Sequence, residues 1–244
     1  ILILIKIMKN LKNWDKKNWL SSSKYVLSVV NFLEKKIKFN KEIKILDIGC
    51  GRGKIISTFS RKYQMINLPL GIDIVGHKDV AAKIRFTKAN ALKYLSKTKE
   101  KFDLILFKQS IHFFSFAEIK KILEFSKINL YPKGKIIILA LHPKQNHWPL
   151  FKVFKTKLIR SLKKDEKILD LIKLNFKKYK INYFIFKVKI TKATYLQMIK
   201  NKFTSCLLNL SSEELKKGMK EIKEKYKKKL EFYDKLICIS YKKK

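Results

Sequence analysis

The stretch "IKILDIGCGRGKIIS", residues 43 to 57, decides how this chain is read. A short apolar run carries Asp47, and glycines follow at every second position, Gly49, Gly51 and Gly53. The chain has only seven glycines in 244 residues. Three of them within five positions mark a place where backbone bends tightly or lies against a ligand. A phosphate loop would end Gly-Lys-Ser/Thr, but Lys54 is followed by Ile55, so the magnesium-binding hydroxyl is missing. A dinucleotide turn spaces its glycines G-x-G-x-x-G. Here the spacing is G-x-G-x-G, with an acid two residues before the first glycine. A carboxylate there repels a pyrophosphate and suits a ligand that carries positive charge.

Outward from this turn, strand-like and helix-like segments alternate. Residues 21–36 have helical spacing after a serine cap, and residues 53–63 open a helix directly after the glycines. Strands are expected at 43–49, 68–75, 84–90, 102–109 and 134–143, with a helix over 116–130 ended by "PKG". Continuous apolar strands separated by helices read as βαβ units, a parallel sheet covered on both faces. After residue 145 the pattern changes. Residues 147–179 read as one or two amphipathic helices, 181–191 as a strand and 191–203 as a helix. Ser211 and Glu214 form a capping box with Leu210 and Leu215 as its hydrophobic staple. A lysine-rich helix to about residue 230 follows, then a last strand at 234–241. No repeat and no Pro/Gly/Ser-rich linker divides the chain. The expectation is a single domain over 1–244: an N-terminal helical segment (1–40), a ligand-binding core (41–143), a helical insertion (144–180) and C-terminal strands and helices (181–244).

Bulk composition bounds the partners. An apolar fraction of 46% is that of a globular chain. Cys50, Cys206 and Cys238 are distant and odd in number, which suggests neither a disulfide framework nor a zinc pattern and points to a reducing, cytoplasmic compartment. The longest apolar runs are too short to span a bilayer. The chain begins "ILILIKIMKN"; Met8 is a natural start, residues 1–7 read as an extension, and Lys6 interrupts what would otherwise resemble a signal peptide. The formal charge is +39, which invites a polyanion partner. Of the 58 basic residues only Arg52, Arg61, Arg85 and Arg160 are arginine, the preferred reader of phosphate and base edges. Abundant Lys, Ile, Phe, Tyr and Asn are also what A/T-rich codons yield, so much of the charge needs no nucleic-acid partner. Nucleic acid stays open as an alternative partner, and oligomeric state is not addressed by these features.

In an open parallel sheet, ligands bind at the carboxyl ends of the strands. The expected strands end there with Asp47 and the glycines, Asp73, Asn90, the group Lys108, Gln109, Ser110 and His112, and His142. Asp73, about one βα unit after Asp47, is placed to accept hydrogen bonds from a ribose diol. A cationic, ribose-bearing cofactor without phosphates is S-adenosylmethionine (SAM). "ILDIGCGRG" resembles the first motif of class I SAM-dependent methyltransferases, and the resemblance runs over residues 43–143 through "FDLI" and "YPKGKIII". "FKQSIHFF" is similar to the region after strand four in small-molecule enzymes of the group that includes trans-aconitate methyltransferase. The resemblance implies a Rossmann-like α/β fold: a mostly parallel seven-stranded sheet, its last pair antiparallel, with helices on both faces and a helical insertion after strand five.

The same resemblance implies site roles. Asp47, Gly49 and Gly51 would hold the methionine part of SAM, Asp73 the ribose, and Asn90 and Ala91 the adenine, with Asn90 standing where many relatives have an acid. Cys50, Gly53, Ile74, Lys108 and Gln109 complete the expected cofactor set. His112 is the candidate general base, against the plainer reading of a wall residue; methyl transfer needs mainly in-line positioning. Trp19, Tyr25, His142 and Trp148 are candidates for the acceptor pocket, each with core packing or a pocket rim as its plainer reading. Trp14 and His147 are weighed the same way. Cys206 lacks the proline-cysteine context of a cytosine-C5 nucleophile, and no "NPPY"-like sequence follows strand four. No metal site is expected. The expected activity is methyl transfer to a small molecule, first at oxygen. An RNA or protein methyltransferase and a non-catalytic binding or assembly protein are the alternatives.

Overall fold

The computed structural model describes residues 18–144 and 147–244. Trp14, Met8 and residues 1–7 lie outside the described residues.

A 3-10 turn at Trp19–Ser21 leads into α1 (Ser23–Glu34), then β1 (Ile45–Ile48), α2 (Lys54–Lys62), β2 (Leu70–Asp73), β3 (Arg85–Lys88) and α3 (Ala91–Lys97). β4 (Phe102–Lys108) is followed by a 3-10 turn at Ile111–Phe113, α4 (Phe116–Ile128) and β5 (Leu130–Leu141). The rest is α5 (Lys152–Phe176), β6 (Lys180–Thr191), α6 (Lys192–Lys200), α7 (Ser205–Leu208), α8 (Ser212–Lys225) and β7 (Lys229–Lys242).

The seven strands form one sheet in the order β3-β2-β1-β4-β5-β7-β6. Pairing is parallel from β3 to β5, while β7 runs antiparallel to both β5 and β6. The expected mostly parallel sheet with an antiparallel final pair is the one observed. The chain lays β2 and β3 on one side of β1 and then crosses to β4 on the other. That reversal opens a crevice at the carboxyl ends of β1 and β4.

Side chains alternate between the two faces of each strand, so each strand feeds two cores. Ile45, Leu104, Leu106, Ile137 and Leu139 pack with α1, α2 and the C-terminal helices. Leu46, Ile48, Ile105, Phe107, Ile136 and Ile138 pack with α3, α4 and α5. α1 starts where the Ser22 hydroxyl accepts the Tyr25 N–H, and it turns Tyr25, Val26, Val29, Val30 and Leu33 inward. α8 starts at the expected capping box, Ser211 with Glu214, and Leu210 and Leu215 are both buried.

Several boundaries differ from the sequence reading. The insertion, expected as one or two helices, is a single helix of 25 residues. β5 begins at Leu130, because Pro132–Gly134 does not end the segment but forms an irregularity between the pairs Phe102↔Leu130 and Leu104↔Lys135. Lys133 there takes a left-handed φ of 65°. α8 ends at Lys225 and β7 starts at Lys229, several residues before the apolar run that marked it, because pairing with β6 extends the strand through Lys229↔Thr191. The helices α3 and α7, too short for a periodic signal, were not expected.

Candidate functional site

The turn after β1 is built on three left-handed glycines, with φ of 72° at Gly49, 55° at Gly51 and 69° at Gly53. L-residues other than glycine pay for this conformation sterically. Two of the three are also crowded. A Cβ on Gly49 would stand 2.4 Å from Ser110 Cβ, and one on Gly53 would stand 2.3 Å from Ile84 Cδ1. Gly51 is different: a Cβ there meets nothing within 4 Å. Its outer face is open to a cavity of about 380 Å³.

Asp73, at the end of β2, spans the turn. Its Oδ2 accepts the Gly51 N–H at 2.8 Å and its Oδ1 accepts the Val75 N–H at 2.9 Å. The Gly49 and Cys50 amides donate to the Ile72 carbonyl at 2.8 and 3.1 Å, which ties the turn to β2. Ser110 donates to the Ile48 carbonyl and closes the turn from the β4 side.

Asp47 is buried on β1, and its Oδ1 has no hydrogen-bond partner among the described residues. Burial pushes its carboxyl up to about 7, the Asp73 charge adds to this, and Lys108 works against it. A buried carboxylate with a free oxygen beside an open turn favours positive charge in the cavity. Burial drives the Cys50 thiol far up, so Cys50 is a wall and no nucleophile.

The cavity brings together most of the expected cofactor residues: Gly49, Cys50, Gly51, Asp73, Ile74, Asn90, Ala91, Lys108 and Gln109 all line it. Gly53 lies one step inside the turn as the residue before α2. Asp47 sits behind the lining, within electrostatic reach of Asp73 and Lys108. Asn90 also caps α3, its Oδ1 accepting the Lys93 N–H at 3.0 Å. Gln109 holds a left-handed φ of 54° and donates its backbone N–H to the Leu139 carbonyl at 2.7 Å; its buried side-chain Oε1 has no partner among the described residues.

The acceptor-side candidates are placed elsewhere. Trp19, Tyr25, His142 and Trp148 are all buried and none lines the cavity. Trp19 packs edge-on to Trp148 at 5.5 Å and to Phe232 at 5.2 Å, a core contact between the N-terminal turn and β7. The Tyr25 hydroxyl donates to Asp234 Oδ2 at 2.9 Å. His142 Nδ1 accepts the Lys144 N–H at 3.1 Å, and its ring lies 5.5 Å from that of Tyr183. His112 does not line the cavity either; its carbonyl accepts from Lys164 Nζ at 3.3 Å, and burial together with Lys164 lowers its imidazole to about 4.

Sequence reading missed Leu20, Ser21 and Val26, which bring the N-terminal segment onto the cavity, and Arg52, His77 and Glu118. Lys54 helps to hold that segment, donating to the Ser21 carbonyl at 3.1 Å. Arg52 has a sequence signal, standing inside the glycine turn; it pairs with Asp79 at 2.8 Å. His77 and Glu118 carry none, since nothing local distinguishes a loop histidine or a capping glutamate that happens to face a crevice. Among the described residues no cluster of His, Cys, Asp and Glu could hold a metal ion, and no helix is long and apolar enough to cross a membrane.

The sequence matches no protein-family model and no curated protein. Solved structures do match. A protein from Anabaena variabilis, assigned as a methyltransferase of an antibiotic biosynthesis pathway, aligns over 87% of this chain and 96% of its own, with a TM-score of 0.62 and 14% identity. A SAM-dependent methyltransferase from Archaeoglobus fulgidus aligns over 89% and 94%, with a TM-score of 0.53 and 17% identity. A phosphoethanolamine N-methyltransferase from Haemonchus contortus, solved with phosphomonomethylethanolamine and S-adenosylhomocysteine, aligns over 97% of this chain and 57% of its own, with a TM-score of 0.55 and 16% identity. At these identities the likeness is one of fold, and the fold is that of class I methyltransferases.

Proposed function

We propose that this chain, which has the class I methyltransferase fold, is a SAM-dependent methyltransferase that acts on a small-molecule acceptor, at oxygen. The observation that carries the reading is the arrangement of Asp47, Gly51 and Asp73. A buried carboxylate with a free oxygen, an amide turn open to a cavity, and a second carboxylate at the end of β2 together fit a cation with a ribose and no phosphate. Each Asp73 oxygen keeps a second lone pair for a ribose hydroxyl. Ile74 and Ala91 supply apolar wall, and Asn90 an amide, for a purine ring.

When bound, SAM supplies an electrophilic methyl group on sulfur. The chain's own part is to hold and orient. Asp73 holds the ligand at the lining, Asp47 attracts its positive charge from behind, and the left-handed glycines let backbone approach it. Phe113 and Phe114, beyond β4, add apolar wall to the cavity. Orientation of this kind accounts for much of the rate in a transfer that needs in-line approach.

The choice of oxygen rests on the family resemblance, and the choice among oxygen acceptors on the candidate base. His112 remains the acid–base candidate of this reading, yet an imidazole lowered to about 4 is a weak proton acceptor. A carboxylate acceptor, already ionised near neutral pH, needs no base, so the reading favours a carboxylate over a hydroxyl. The RNA or protein alternative calls for a lysine-lined groove reaching the end of β4. Lys54 and Lys108 are the cavity's lysines among the described residues, one bonded to the Ser21 carbonyl and one over the Tyr25 ring, which supports the small acceptor.

The test is methyl transfer from labelled SAM to metabolite, RNA and protein pools. Label in a small carboxylate ester supports the reading. Label only in RNA or protein replaces the acceptor, and SAM binding without transfer to any pool supports a binding protein.

A further inference from the structure

The outer end of the sheet carries an apolar face that the proposed reaction does not use. β6 is the last strand, 12 residues long, and its outer edge is unpaired among the described residues. Side chains two apart on a strand share a face, and residues paired across an antiparallel ladder share it too. On the face toward α5, Ile237 and Ile239 of β7 cluster with Ile168, Leu169 and Ile172 of that helix. The β6 residues opposite them, Tyr183 and Ile181, lie beyond this cover. Tyr183 is 57% exposed and the next residue of the row, Ile185, is 55% exposed. Tyr233, on the neighbouring β7, is exposed beside them.

Lysines bound this face at both ends. Lys187 and Lys189 continue the row on the same side of β6, and both reach the one carboxylate of Glu231, at 2.8 and 3.6 Å. At the other end the exposed Lys177, Lys178 and Lys180 lead from α5 into the strand. β6 itself holds three lysines and no acid. Lysine on an edge strand guards against edge-to-edge pairing. A row of isoleucine and tyrosine has the opposite effect, and exposed apolar surface rimmed by charge marks a place where a partner sits. The charge selects the partner. A second copy would bring the same lysines, and β6 offers them no carboxylate. A nucleic-acid strand stacks on flat rings, where Ile181 and Ile185 are branched aliphatics, and no arginine stands in 177–191. An anionic bilayer meets both parts of the surface: tyrosine and isoleucine enter the headgroup boundary, and the lysines reach acidic headgroups.

We propose that the outer face of β6, centred on Tyr183 and Ile185, docks the protein on an anionic lipid surface. The docking is peripheral: side chains of one strand enter the interface and no segment crosses the bilayer. It gives a use to part of the +39 charge, which a small-molecule acceptor leaves unexplained. It goes beyond the SAM reading and does not depend on it.

The test is co-sedimentation of the full chain with vesicles of equal parts phosphatidylglycerol and phosphatidylcholine. Tyr183→Ser with Ile185→Ser leaves the charge unchanged and should lower the partition coefficient about tenfold. Lys187→Gln with Lys189→Gln should lower it about fivefold. Ile66→Ser with Leu68→Ser, at two exposed apolar residues in the loop before β2, removes similar surface toward the other end of the sheet and should leave partitioning unchanged. In the wild type, vesicles should slow amide exchange across 181–187, a readout that needs no variant. Equal loss in the β6 and loop variants, or no loss in the Tyr183/Ile185 variant, means general attraction of a +39 chain and overturns the inference. Wild-type protein that stays off the vesicles, or exchange in β6 that vesicles do not slow, overturns it as well. If the β6 substitutions spare vesicle binding but abolish a dimer in sedimentation or the binding of a single-stranded RNA probe, the face takes a second copy or RNA and the inference fails. None of these outcomes bears on the SAM reading.

Discussion

The carboxylate of Asp73 holds the amide of Gly51, with Oδ2 accepting it at 2.8 Å. One residue thus shapes the glycine turn and, in the proposed function, also binds the ribose. Asp73→Ala should weaken SAM binding by about 1–3 kcal/mol, from lost hydrogen bonds to a buried ligand and a loosened turn. Calorimetry with an unchanged dissociation constant would remove Asp73 from the site.

The glycines of the turn should separate into two kinds. Gly49→Ala drives a Cβ to within 2.4 Å of Ser110 Cβ, so it should cost about 1–3 kcal/mol of stability from overpacking as well as backbone strain. Gly51→Ala meets open space and should cost only the left-handed backbone penalty, about 1–2 kcal/mol. Its methyl group would project where the ligand approaches, and SAM affinity should fall at least about tenfold. Urea melts and binding titrations on the pair check this; equal binding by Gly51→Ala and wild type would mean that no ligand lies against that amide.

Asp47 should make binding depend on pH. Its carboxyl is raised to about 7, so below that pH a cationic ligand must displace a proton. SAM affinity should rise with pH up to just above 7 and then level off. Stability should move the other way. A carboxyl with a raised folded-state pKa binds its proton more tightly folded than unfolded, so the stability present at low pH is lost as pH rises from about 4 toward 7. Asp47→Asn should flatten both profiles. A pH-independent affinity in the wild type would show that Asp47 does not meet the ligand's charge.

Trp19 should behave as core. Its ring lies 5.0 Å from Phe203, 5.2 Å from Phe232 and 5.5 Å from Trp148. Trp19→Ala should cost about 3–5 kcal/mol in a urea melt. A loss under 1 kcal/mol, about the size of a typical surface change, would reopen the pocket role.

The residues that were legible in the sequence share one property: their signal is local. Asp47, the three glycines and Asp73 sit at fixed offsets from apolar strands, and the crevice follows from the strands alone. The capping box at Ser211 was equally plain. What could not be read depends on distant contacts. Tyr25 and Trp19 looked like candidates for the acceptor pocket, but their partners Asp234 and Phe232 lie on β7, roughly the whole chain away. Asp234 itself drew no notice, because an aspartate in an alternating strand reads as a solvent-facing residue until the pairing partner and the covering helix are known. The start of β5 was misplaced because Pro132 and Gly134 mark a turn by composition, and only the neighbouring β4 shows that the strand continues through them. Short helices such as α7, of four residues, carry no periodicity at all.

The central claim is that the Asp47–Gly51–Asp73 cleft receives SAM. Its most direct test is calorimetric titration of SAM into the wild-type protein, alongside Asp73→Ala, at a pH just above 7. The account predicts a single saturable site in the wild type, weakened in the variant. No detectable binding to the wild type, or equal binding to both proteins, would contradict it.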